Sequence, residues 1–248
     1  MAEQKIKAVI FDLGETLLNF GRVNTLKYFY QGAQLSYDFL KSTSQKIPPF
    51  PLYAARCLLT LKFRNIISNI TGNDFDATDI LDQACKKYRI KLDQNQLTEF
   101  VWLWYQPLSK AAATEPDLQQ TLEKLKNSGL KLGILSNTFV SATALERHLA
   151  QVVNLDIFDI KLYSYQFKYR KPNPLVFIDA ADRIGEKLSN IAYVGDRINN
   201  DINPALNLEM TAILKKAYTN NGKKLPKAAY SIRQIKELPE LIERINAE

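Results

Sequence analysis

The chain has 248 residues, 46% of them hydrophobic, enough to bury one ordinary domain and a smaller second unit, which excludes a disordered or fibrous protein. Its 33 basic and 26 acidic residues leave a net charge of +7, which suits an anionic substrate but selects no partner by itself. Cys57 and Cys85 are far apart and have no neighbouring histidines, so neither a disulfide framework nor a zinc site is expected, and a reduced, cytoplasmic setting fits.

The N-terminal apolar run, Ala8 to Phe11, stops at Asp12 and lacks the hydrophobic region of a signal peptide. No apolar stretch approaches membrane-spanning length, so no membrane association is expected. Short apolar runs at 6–12, 131–136, 159–163, 191–195 and 210–214 read as strands of a parallel sheet buried on both faces. Helices alternate with them. One spans 117–128, opened by Pro116, closed by Gly129, with Leu118, Leu122 and Leu125 on one face. Another starts at Asn173-Pro174 and runs to Gly185, with Phe177, Ile178, Ala181 and Ile184 inward. The fold class is therefore α/β, a doubly wound parallel sheet.

Residues 22–107 break the rhythm. They contain no convincing strand, and Leu59, Phe63, Ile66, Ile67 and Ile70 recur at helical spacing, as do Leu97, Phe100, Val101 and Trp104. The expected division is a core of 1–21 and 108–248 carrying an all-helical insertion, 22–107, that hangs over the end of the sheet. Near the C-terminus, Lys215, Lys216, Lys223, Lys224 and Lys227 lack the interleaved aromatic residues of a nucleic-acid surface and read as a solvated face. His148, the only histidine, falls in a polar helix and is expected to be exposed; Trp102 and Trp104 are expected to pack the last helix of the insertion.

Three strands end in polar residues: Phe11 into Asp12, Leu135 into Ser136, and Gly195 into Asp196. In a parallel sheet these ends point the same way, and ligands bind outside them, so two carboxylates and a hydroxyl should converge. One polar strand end is ordinary turn chemistry; three together predict a site.

The segment Phe11-Asp12-Leu13-Gly14-Glu15-Thr16-Leu17 resembles the first motif of the haloacid dehalogenase-like hydrolases, Leu135-Ser136-Asn137 the second, Arg170-Lys171-Pro172-Asn173-Pro174 the third, and Val194-Gly195-Asp196 through Asp201 the fourth. They occur in family order, and the insertion lies where that family places one type of helical cap. The resemblance implies a Rossmann-like core and a phosphatase in which Asp12 attacks phosphorus to give an aspartyl-phosphate. It further implies that Thr16, Ser136, Asn137 and Lys171 hold the phosphoryl group, with Lys171 supplying positive charge. Mg²⁺ would be bound by Asp12, the Gly14 carbonyl, Asp196 and Asp201, an all-oxygen set. The implied substrate is a small phosphorylated metabolite, acted on by a monomer or homodimer.

One position departs from the family pattern. Family phosphatases usually carry an acid–base aspartate two residues after the nucleophile, and here that residue is Gly14. Loss of such a group costs roughly 10²–10⁴ in rate. Neighbouring Glu15 points the other way along an extended chain. The alternatives left open are a weakly active or non-catalytic phosphate-binding protein, dehalogenase-type chemistry, or a phosphonatase using Lys27, Lys41, Lys46 or Lys62 as a Schiff base.

Overall fold

A computed structural model describes residues 5–43, 46–167 and 169–248. Residues 1–4 of the expected core and 44–45 of the expected insertion lie outside the described residues.

Six parallel strands form one sheet: β1 (Ala8–Phe11), β2 (Lys131–Ser136), β3 (Ile160–Tyr163), β4 (Ile191–Gly195), β5 (Thr211–Lys215) and β6 (Tyr230–Ile232), in the order β3-β2-β1-β4-β5-β6. The chain winds outward from β1 in one direction and then returns to lay β4 on its other side. This reversal opens a crevice at the carboxyl ends of β1 and β4, the place where doubly wound sheets bind ligands. β1 and β4 are buried on both faces because helices cover the sheet on each side, so their sequences run apolar without alternation. β6 was not expected. Its segment Tyr-Ser-Ile is short and only Ile232 is buried, the pattern of an edge strand with little hydrophobic signal.

Of the two expected core helices, α5 (Leu118–Asn127) buries Leu118, Leu122 and Leu125 as read. The helix starting at Pro174, α7 (Pro174–Ile184), is capped by the Asn173 side chain, which accepts from the Leu175 N–H. Its inward face is rotated from the expected one: Val176, Phe177, Ala180, Ala181 and Ile184 are buried, and Ile178 is half-buried. Among the C-terminal lysines, Lys215 departs from the expected solvated face. It is buried and pairs with Glu115 at 3.0 Å, whereas Lys216, Lys223, Lys224 and Lys227 are exposed.

Between β1 and α5 lie four helices, α1 (Thr25–Ser42), α2 (Phe50–Thr71), α3 (Ala77–Lys87) and α4 (Gln94–Ser109). Their starts are set by local chemistry: Asn24, Asp76 and Asp93 cap α1, α3 and α4, and Asp93 with Gln96 closes a capping box. The chain leaves and re-enters the core at one point, where Asn19 and Ala113 exchange two backbone hydrogen bonds of 2.8 Å. Of the stripe read as amphipathic on α2, Leu59, Phe63, Ile66 and Ile70 face outward, each more than half exposed, and Ile67 is half-buried. The faces that bury are Phe100, Val101 and Trp102 of α4 and Gly32, Ala33, Ser36 and Leu40 of α1. Trp102 is buried, and Trp104 packs between Phe29 and Tyr53. No described helix is long and apolar enough to cross a membrane.

Two contacts fix this arrangement. A Cβ on Gly32 would lie 2.4 Å from the Trp104 carbonyl oxygen, so α1 and α4 meet backbone to backbone. His148, on α6 (Ala142–Leu149), is buried rather than exposed: its Nδ1 lies 3.0 Å from the Tyr105 hydroxyl and Phe20 meets its ring edge-on. The polar helix sequence concealed this because α4 covers that face.

Gly32→Ala is expected to destabilise by about 1–3 kcal/mol, since neither backbone can yield without separating the helices; urea unfolding reads this directly. Burial holds the His148 pKa below its ordinary 6.5. Below that pH the unfolded chain takes up a proton that the folded chain refuses, so this contribution to stability is full above pH 6.5 and falls as the pH drops through it. Asp196, raised by burial, works in the opposite sense over the same range in both proteins, so the His148 contribution is read as a difference: between pH 7 and pH 5 the urea midpoint of the wild type should fall relative to that of His148→Gln.

Candidate active site

The expected strand ends do converge. Asp12 follows β1, its N–H donating to the Val194 carbonyl of β4 at 2.8 Å, while Ser136 ends β2 and Asp196 follows β4. Asp12, Asp196 and Asp201 are all buried, and one carboxylate oxygen from each lies within 4.8 Å of the others. Asp201 belongs to a π-helical turn, Ile198–Ile202, that folds back onto β4. A Cβ at Gly195 would stand 2.6 Å from the Asp201 side chain, so glycine is what lets that carboxylate approach.

Lys171 is the counter-charge. Its Nζ lies 2.9 Å from Asp12 Oδ1 and 2.6 Å from Asp201 Oδ1, and donates to the Tyr193 hydroxyl at 2.7 Å. That hydroxyl donates onward to the Leu135 carbonyl at 3.1 Å. Burial alone would push the ammonium down, but Asp12 and Asp201 hold its pKa well above the lysine range. The Lys171 segment is fixed by Asn137, whose side-chain amide donates to the Lys171 carbonyl at 2.7 Å and accepts from its N–H at 2.9 Å. Asn137 thus ties the end of β2 to the lysine.

The third carboxylate, Asp196, forms no ion pair among the described residues. Burial and the adjacent Asp12 charge push Asp196 up to about 7, against the lowering effect of a hydrogen bond from the Thr219 hydroxyl. Asn220 donates to the Asp196 carbonyl at 2.9 Å, and the Arg197 N–H donates to Asp201 Oδ2 at 2.8 Å. Three crowded oxygen donors with one ammonium among them suit a hard divalent cation.

A cavity of about 340 Å³ opens over these groups, its wall including Asp12, Gly14, Ser136, Asn137, Lys171 and Asp201. Thr16 does not reach this wall; it is buried behind it, its hydroxyl unpaired. Glu15 has φ 58°, and its carboxylate accepts from the N–H groups of Phe20 (2.9 Å) and Gly21 (3.0 Å), so it braces the loop. A Cβ at Gly14 would meet nothing within 4 Å. Lys27, Lys41, Lys46 and Lys62 are exposed, and none of the four lines the cavity.

Residues that sequence reasoning missed complete the rim. Asp74, between α2 and α3, pairs with Arg170 at 2.7 Å and accepts from the hydroxyls of Ser68 and Ser164; Arg170 also donates to Ser68 at 2.9 Å. This clasp joins the helical segment to the loops after β3. Of this clasp only Arg170, the first residue of the third motif, carried any signal. Tyr193 is visible in sequence as a hydroxyl inside an apolar strand, but Thr219 and Asn220 look like an ordinary loop.

A model of the haloacid dehalogenase-like hydrolase family matches residues 6–208. The chain belongs to this hydrolase family. It is similar to a glyceraldehyde 3-phosphate phosphatase of Methanocaldococcus jannaschii, 28% identical over 96% of each chain. It is also similar to (S)-2-haloacid dehalogenase 4A of Burkholderia cepacia, 30% identical over 47% of each. Among solved structures, a HAD phosphatase from Thermococcus onnurineus superposes with a TM-score of 0.58 at 24% identity, covering 96% of this chain and 98% of the other. A 2-haloacid dehalogenase from Pseudomonas syringae gives the same score and identity over 97% and 99%. These structures support the fold.

Removing the Lys171 ammonium would strand buried carboxylates, a change that costs about 3–5 kcal/mol. Lys171→Met is accordingly expected to lower the unfolding free energy in EDTA by about 3 kcal/mol or more. Arg170→Met, at a partly exposed pair, should cost clearly less. Equal losses in the two variants would mean that the lysine is not the centre's counter-charge.

Proposed function

We propose that this hydrolase cleaves a phosphate bond in small phosphorylated compounds, with Asp12 attacking phosphorus to form an aspartyl-phosphate that water then hydrolyses. The observation that carries this reading is the 2.9 Å pair between Lys171 and Asp12 at the end of β1, facing the cavity. An ammonium at that distance favours the ionised carboxylate and sets positive charge beside the place where phosphoryl oxygens would lie. Ser136, at the cavity wall, would donate its hydroxyl to those oxygens, and Asn137 holds Lys171 in position. Thr16, buried and outside the cavity lining, would not contact those oxygens in this arrangement.

The cluster fits Mg²⁺, which Asp12, Asp196 and the Gly14 carbonyl would hold, with Asp201 flanking it. When bound it would supply further positive charge to the transferring group. The crowding that raises Asp196 is the condition a divalent cation relieves. We further propose that residues 22–107 act as a cap domain on a core of 1–21 and 108–248, because Asp74 and Val23 reach the cavity rim. A closing cap favours small substrates over nucleic acids. The free thiols Cys57 and Cys85 agree with the reducing, cytoplasmic setting we assign, and either a monomer or a homodimer is compatible with this mechanism.

Similarity to the B. cepacia dehalogenase supports a second reading, in which Asp12 attacks carbon and displaces halide. That chemistry needs no cation, and leaves the buried carboxylates beyond Asp12 without a task. Phosphate release from a panel of small phosphoryl compounds, measured with Mg²⁺ or EDTA, separates the two. Mg²⁺-dependent release is expected, falling to background in Asp12→Asn. Equal release by Asp12→Asn would overturn the nucleophile, and chloride release from 2-chloropropionate without phosphate release would favour the second reading.

A further inference from the structure

Breaking a phosphate ester of an ordinary alcohol requires a proton for the departing alkoxide, and among the described residues that line the cavity no carboxyl or imidazole is free to give one, while the Lys171 ammonium is engaged with Asp12, Asp201 and the Tyr193 hydroxyl. Among the described residues, Glu15 has its carboxylate bonded to two backbone N–H groups. Asp74 is held by Arg170 and two serine hydroxyls. Asp201 is bonded to Lys171 and to the Arg197 N–H, and Asp196 takes the Thr219 hydroxyl and does not line the cavity. His148 is buried against Tyr105, away from the cavity. Tyr218 stands at the rim, 44% exposed, its ring against the Arg22 guanidinium. Gly14, two residues after Asp12, presents open space.

Leaving groups differ in how much they need that proton. An alkoxide resembles hydroxide, the conjugate base of a very weak acid, and departs poorly without protonation. A carboxylate, with a parent acid near pKa 4, departs as a stable anion.

Accepting Asp12 as a nucleophile toward phosphorus, we infer that the substrates of this chain are phosphoryl compounds whose leaving group departs as a stabilised anion, acyl phosphates foremost, rather than monoesters of simple alcohols. In the first step a carboxylate oxygen of Asp12 bonds to phosphorus as the bond from phosphorus to the acyl oxygen breaks. The electron pair leaves with the carboxylate, and no proton moves. In the second step water attacks the phosphorus of the aspartyl-phosphate, the Asp12 carboxylate leaves with its electron pair, and the water proton passes to phosphate and solvent. The second leaving group is again a carboxylate, so neither departure calls on an acid. Attack by water without a positioned base is the slow event, and the phosphoenzyme accumulates.

The test uses the full chain in Mg²⁺ with acetyl phosphate, p-nitrophenyl phosphate and glycerol 3-phosphate, in the wild type, Gly14→Asp, Gly14→Asn and Asp12→Asn. The open space at position 14, whose φ is outside the left-handed region, lets either side chain fit. Wild type should turn over acetyl phosphate with a burst of about one acetate per chain and a hydroxylamine-trappable acyl-phosphate. Gly14→Asp should raise kcat/KM for glycerol 3-phosphate by about 10²-fold, shorten the burst and narrow the spread among substrates. Gly14→Asn, alike in shape but unable to shuttle a proton, should do neither. If wild type handles glycerol 3-phosphate as well as acetyl phosphate and Gly14→Asp adds nothing, a proton donor is already present and the inference fails while the phosphatase reading stands. If no substrate is turned over and nothing is trapped, both fail.

Discussion

Everything at the end of the sheet depends on one buried ammonium. Asp12, Asp196 and Asp201 are gathered where water is scarce, and burying carboxylates that closely is unfavourable unless a counter-charge is buried with them. Lys171 supplies it to two of the three, with Tyr193 accepting from its Nζ and Asn137 bonded to its backbone. The balance is incomplete. The Asp196 carboxylate is left to the Thr219 hydroxyl alone among the described side chains, so the centre is short of positive charge that a cation would supply.

The sheet order explains why these groups meet. With β1 between β2 and β4, the segments after all three emerge at one crevice, and Lys171 enters it from the loop before α7. The helices α1 to α4 interrupt the chain after the β1 loop without disturbing the strands, because the Asn19–Ala113 pairing closes the gap between exit and return. Close backbone approaches at Gly32 and Gly195 serve the two regions separately, one packing α1 on α4, the other admitting Asp201 to β4.

How much of this was legible depended on how local each signal is. Asp12, Ser136 and Asp196 were readable because a polar residue after a fully apolar run marks a strand end, and parallel strands end together. Lys171 was readable through the family motif alone, since a lysine before a proline-initiated helix is ordinary surface chemistry. Asp74 left no trace: its partners Arg170 and Ser164 lie 96 and 90 residues away, and only the tertiary fold joins them. His148 misled for the same reason in reverse, a polar helix face being covered by α4. The outward stripe on α2 shows that helical periodicity identifies a helix without saying which side of it is buried.

The loop after Asp12 shows how a glutamate beside a missing aspartate can be present without replacing it. Position 14 faces open space and position 15 turns through φ 58° into the loop, where its carboxylate satisfies the N–H groups of Phe20 and Gly21. Swinging Glu15 toward the nucleophile would break both bonds and leave two partly buried donors unpaired, at roughly 1–3 kcal/mol each. That cost would have to be met on every turnover. The loop is therefore built to stay still, and on the proposed reading, with Asp12 as nucleophile, the relation between this chain and its phosphatase and dehalogenase relatives turns on what Asp12 and its fixed carboxylate neighbours would do without a mobile acid. Attack by Asp12 is common to both chemistries. The buried Asp196 and Asp201 are what favours the proposed phosphoryl transfer over the alternative, because negative charge crowded beside Asp12 calls for positive charge, and a transferring phosphoryl group would make use of it.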